Sequence, residues 1–138
     1  MATNPLFTLT PNIGIGQLTS ASSTNTLATG AALIFTAGTN GGIVTEVRIK
    51  MIPGTATSAT AFRLWLNNGS AAGTATNNAL IAEYTVPAFT NSQTAANVDY
   101  FLPMQRTGIA LPPSWTMYAQ IGTYTTGTFM ITAIGGNY

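Results

Sequence analysis

The sequence predicts an all-β protein: a single antiparallel β-sandwich of about eight strands, jelly-roll-like in topology. Three observations lead there. Apolar residues recur at every second position through most of the chain, the period at which a strand places its side chains on one face. No window holds apolar residues at the three- and four-residue spacing that an amphipathic helix of a dozen residues needs. Turn signals built from Gly, Pro, Asn and Ser return at short intervals. An immunoglobulin-like sandwich or a small barrel fits the same spacing, although no Cys-Trp-Cys framework favours the immunoglobulin form.

The elements follow in order. Residues 1–12 read as an extended arm, in which Pro5 and Pro11 flank Leu6, Phe7 and Leu9. The sandwich domain is expected over 13–138. Ile13 to Leu18 alternates apolar with small or polar residues, a strand weakened by Gly14 and Gly16. A polar loop from Ser20 to Asn25 precedes a second strand at Ala31 to Ala37, which Gly38 to Gly42 closes.

The clearest alternation lies between Gly41 and Leu66. Ile43, Val47, Ile49 and Met51 alternate with Glu46, Arg48 and Lys50; beyond the loop at Pro53 to Ser58, Phe62, Leu64 and Leu66 alternate with Ala61, Arg63 and Trp65. The two strands are expected to pair as a hairpin. That pairing would set Arg48, Lys50 and Arg63 on one outward face beside Trp65.

Further along, a flexible loop at Asn67 to Thr74 leads to a strand from Leu80 to Val86, which Pro87 ends. Val98, Tyr100 and Leu102 form a short strand with Asp99 on its other face, and Met104 to Leu111 fits no single pattern. After the Pro112-Pro113-Ser114 turn, Trp115, Met117, Ala119 and Ile121 make one strand and Phe129, Ile131 and Ala133 another. Gly122 to Gly127 is expected to close them into a final hairpin.

Composition narrows the function. A chain of 138 residues is one ordinary domain that buries about two thirds of its unfolded surface. With no cysteine there are no disulfides or thiolate sites. No basic region followed by an apolar run opens the sequence, and no apolar stretch approaches the ~20 residues of a membrane span. Neither ordinary secretion nor membrane insertion is therefore expected. Charged residues make up 5% of the chain, against about 25% in typical soluble domains. Copies with so little charge repel one another weakly, which fits either a neutral, well-hydrated Thr/Asn surface or a surface buried in an assembly.

Chemistry is sparse. Histidine is absent along with cysteine, which removes the commonest general base and nucleophile pairs. The three acids, Glu46, Glu83 and Asp99, fall on three separate predicted strands, whereas a glycosidase pair or a carboxylate metal cage needs convergence. No helix start or Lys-Ser/Thr follows Gly14 and Gly16, so they form no phosphate loop. The expectation is a protein without enzyme activity or cofactor. Arg48, Lys50 and Arg63 beside Trp65 are either outer-face charges that keep a sheet soluble and discourage edge pairing or a candidate contact for a protein partner, since Arg and Trp are enriched at hot spots. Glu46 and the low total charge argue against nucleic acid. As an alternative, Trp65, Trp115, Tyr118 and Tyr124 would line a carbohydrate platform in a carbohydrate-binding module.

Several segments together carry a resemblance: Met1-Ala2-Thr3-Asn4-Pro5, the Ile43 to Lys50 strand with Phe62-Arg63-Leu64-Trp65-Leu66, Leu111-Pro112-Pro113-Ser114-Trp115, and Ala133-Ile134-Gly135-Gly136-Asn137-Tyr138. The chain resembles small β-rich structural proteins of tailed-bacteriophage virions. This resemblance implies a head decoration or cement protein that binds the major capsid protein lattice from outside, often as a trimer. The alternative within the same resemblance is a tail-fibre or host-adhesion domain. The resemblance implies manufacture in the host bacterial cytoplasm and residence in the virion, and it transfers no functional residue. On electrostatics and edge exposure, the arm with Leu6, Phe7 and Leu9 is expected to pack onto a neighbouring subunit or the capsid, within a symmetric homo-oligomer for which a trimer is favoured.

Overall fold

The alternating segments fold into two antiparallel sheets packed face to face. The computed structural model describes residues 10–52, 56–90, 92, 94–96, 99–102, 108–123 and 127–138. Sheet I contains β1 (Thr10–Leu18), β3 (Gly42–Met51), β8 (Tyr100–Leu102), β9 (Ile109–Leu111) and β11 (Phe129–Asn137), in the order β1-β11-β3 with β8 and β9 end to end along the far side of β3. Sheet II contains β2 (Ala31–Thr36), β5 (Thr60–Asn67), β6 (Asn78–Val86) and β10 (Thr116–Ile121), in the order β2-β10-β5-β6. A small ribbon pairs β4 (Ala56–Thr57) with β7 (Phe89–Thr90), and a 3-10 turn spans Ala75–Asn77.

When β8 and β9 are counted as one interrupted strand, successive main strands alternate between the sheets everywhere except at β5 and β6. That interleaving is the jelly-roll arrangement, two Greek keys wrapped into a double sheet. The sheets do not close into a barrel, and their strand order is not the immunoglobulin one.

Inward-facing residues from both sheets form the core. Val44, Val47, Ile49, Ile131 and Ala133 from sheet I meet Phe62, Leu64, Met117, Ala119 and Ile121 from sheet II, all fully buried. Strands of either sheet therefore carry the same alternating pattern, which says that a strand has one buried face and not which sheet it joins. For that reason the expected hairpin between β3 and β5 does not exist: the chain crosses from one sheet to the other between them. The expected hairpin of the last two strands fails likewise, with β10 in sheet II and β11 in sheet I. The true hairpin joins β5 to β6, with Asn67 opposite Asn78.

Two local departures reset which residues face out. In β3 the register slips between the pairs Glu46–Ile134 and Val44–Gly135, so Thr45 is an extra residue and Thr45 and Glu46 both point outward. Val44 consequently enters the core and Ile43, expected there, sits half-buried on the outer face. In β1 the glycines face inward and the isoleucines outward. A Cβ on Gly14 would lie 1.6 Å from the Ile34 carbonyl oxygen; where β1 crosses β2, the two backbones touch and only glycine fits. Ile13 and Ile15 are then left 60% and 67% exposed. Strand β1 begins at Thr10, which pairs with Asn137, so Thr10 to Asn12, read as part of the arm, belong to sheet I.

Candidate interaction surface

The strand register of sheet I lays its outer face out in columns. On β1 stand Ile13, Ile15 and Gln17; opposite them on β11 stand Ile134, Thr132 and Met130; opposite those on β3 stand Glu46, Arg48 and Lys50. Phe101 on β8 lies opposite Arg48. The face thus grades from apolar at the β1 edge to charged at β3.

Its charges are neutralised within the face. Arg48 Nε donates to Glu46 Oε1, and that bond is the main cause of an Arg48 pKa raised above its ordinary value. Lys50 Nζ lies 2.9 Å from Asp99 Oδ1. The Arg48 guanidinium also sits 5.0 Å from the centroid of the Phe101 ring, which is 54% exposed. The arrangement is a cation over an aromatic face. Two cations and two anions leave this face with no net charge, and with large apolar side chains in water.

Sheet II presents a different exterior, because residues 19–30, of which Ser20 to Asn25 read as a polar loop, run over it as a strap. Ser22 N–H donates to the Ile121 carbonyl at 2.8 Å, Leu27 N–H to the Ala72 carbonyl at 2.9 Å, and Asn78 Nδ2 to the Asn25 carbonyl at 2.7 Å. Beneath the strap Gln120 is fully buried, and Leu27 of the strap itself is 2% exposed. Trp65 is 8% exposed and donates its indole Nε1–H to Gln120 Oε1 at 3.1 Å. The Trp65 indole N–H and both ends of the Gln120 amide thus have partners beneath the strap, as burial requires.

The expected patch of Arg48, Lys50, Arg63 and Trp65 is therefore split. Arg48 and Lys50 lie on sheet I, whereas Arg63 and Trp65 lie on the outer side of sheet II. Arg63 is held by Glu83 across the β5–β6 hairpin, Nε to Oε1 at 2.6 Å. With Trp65 roofed over and Trp115 packed partly against the core, the proposed carbohydrate platform loses its principal ring. Tyr124 lies outside the described residues, as do Leu6, Phe7 and Leu9 of the arm.

Each of the three carboxylates is engaged with a different base: Glu46 with Arg48, Asp99 with Lys50, Glu83 with Arg63. No pair converges as a general acid and base would, and no metal-binding group of His, Cys, Asp and Glu occurs among the described residues. No helix among them is long and apolar enough to cross a membrane. What the sequence reading missed is the column of Ile13 and Ile15. The adjacent Gly14 and Gly16 were the available signal, since inward glycines at a strand crossing turn their apolar neighbours outward. Comparison with protein-family models, with curated proteins and with solved structures finds no match to this chain.

Proposed function

We propose that this chain is a structural protein of a tailed-bacteriophage virion, a decoration or cement protein that binds the outside of the head lattice as a symmetric homo-oligomer, with a trimer favoured. The observation that carries this reading is the outer face of sheet I, where exposed Ile13, Ile15 and Phe101 stand among charges that cancel in pairs. Such a face gains from being covered, because burying an isoleucine side chain contributes roughly 1.5–3 kcal/mol, and it carries no field that would draw it to nucleic acid. A cysteine-free chain with 5% charged residues suits use in many copies. The major capsid protein is the proposed partner, and the sequence resemblance supplies the virion context.

Purified protein mixed with particles that lack it provides the test. Saturable binding to heads at lattice-defined positions in electron micrographs is expected. Label confined to the tail would replace this reading with a tail-fibre or host-adhesion role, and binding to glycans without particles would favour the carbohydrate-binding module.

A further inference from the structure

The two sheets differ in what covers them. Residues 19–30 run over part of sheet II, with Leu27 of that strap and Trp65 below it buried and Leu33 and Leu80 left 46% and 43% exposed, whereas Ile13 and Ile15 of sheet I stand 60% and 67% exposed. Alongside them on β11 lie Ile134 and Met130. The chain also holds a segment that fits this column in chemistry and length. Residues 1–9 are without Asp, Glu, Lys or Arg and bring Leu6, Phe7 and Leu9. Nine extended residues reach at most about 32 Å, close to the length of the nine-residue β1 and β11.

We infer that the outer column of sheet I formed by Ile13, Ile15, Ile134 and Met130 receives residues 1–9 of a second copy of the chain. The local sequence favours a second copy. To fold back over its own Ile13 and Ile15, the segment must reverse next to Thr10, and of the residues that tight reversals use, Leu6 to Pro11 contain only Pro11, which is already paired with Gly136 in β1. Asn4-Pro5 does offer a turn, but a reversal there returns only Met1 to Thr3 and leaves Leu6, Phe7 and Leu9 pointing away. Docking on a second copy needs no reversal next to Thr10. The inference rests on the reading of the chain as a homo-oligomer and is independent of the virion assignment.

The absence of native cysteine makes cross-linking a direct test. A Phe7→Cys protein mixed with an Ile15→Cys protein and oxidised is expected to give a disulfide-linked dimer many-fold above either protein alone. A Phe7→Cys/Ile15→Cys double variant that cross-links only within its own chain would overturn the inference in favour of docking in cis. Failure of the mixture to cross-link would overturn it outright. Deletion of residues 1–9 keeps all of β1 and guards against a misfolded cysteine variant. Light scattering of this shortened protein, with its β circular dichroism retained, is expected to fall to the mass of a single chain. Retention of the full-length oligomer's mass would contradict the inference, whatever the protein's location in particles.

Discussion

Gln120 and Trp65 lock the strap to sheet II. The Gln120 Oε1 accepts the Trp65 indole hydrogen at 3.1 Å, while its amide nitrogen donates to Ser22 Oγ at 2.8 Å and to the Thr24 carbonyl at 3.0 Å. One fully buried side chain thus ties a loop, a strand and an aromatic ring together.

Replacing that side chain tests the lock. Gln120→Ala leaves the Trp65 N–H and the Thr24 carbonyl without their partner under the strap, at a cost of about 2 kcal/mol. Chemical denaturation should show the lower midpoint, and tryptophan emission should shift to the red as water reaches Trp65. An unchanged emission maximum would mean that the strap does not depend on Gln120.

Glycine substitutions separate close approach from mere turn composition. Gly14→Ala places a Cβ 1.6 Å from the Ile34 carbonyl oxygen, and Gly135→Ala places one 1.9 Å from the Ile43 oxygen. Both contacts are backbone and neither can swing aside, so each variant is expected to lose more than about 2 kcal/mol. Gly73→Ala meets only the Ala28 Cβ at 3.4 Å and should change stability by less than about 0.5 kcal/mol. Thermal unfolding of the three variants side by side checks the order.

The three ion pairs should be unequal. The Arg63 side chain is 21% exposed, and its Nη1 is buried without a hydrogen-bond partner among the described residues. Glu83→Gln removes the charge that compensates it and should cost about 1 kcal/mol. Arg48 and Lys50 are half in water, so Glu46→Gln and Asp99→Asn should leave the denaturation midpoint unmoved. Equal losses at all three positions would show that burial does not set their worth.

These relationships explain how far the sequence could be read. Alternation located the longer strands and the buried side of most of them, because Val47, Ile49, Phe62 and Leu64 obey the two-residue period, but it did not locate the two- and three-residue β4, β7 and β9. Sheet membership was not legible, because β3 and β5 line the same core from opposite sides. That ambiguity produced the false hairpin and the false grouping of Arg48 with Arg63. The bulge at Thr45 and the inverted face of β1 depend on contacts with Ile134 and Ile34 far along the chain, which no local pattern records. The buried state of Trp65 depends in turn on a strap whose polar composition reads as an ordinary loop.

Calibrated mass spectrometry of purified particles tests the proposed virion role most directly. The account predicts this chain in tens to hundreds of copies per particle, in stoichiometric proportion to the major capsid protein. Its absence from the particle would contradict the account.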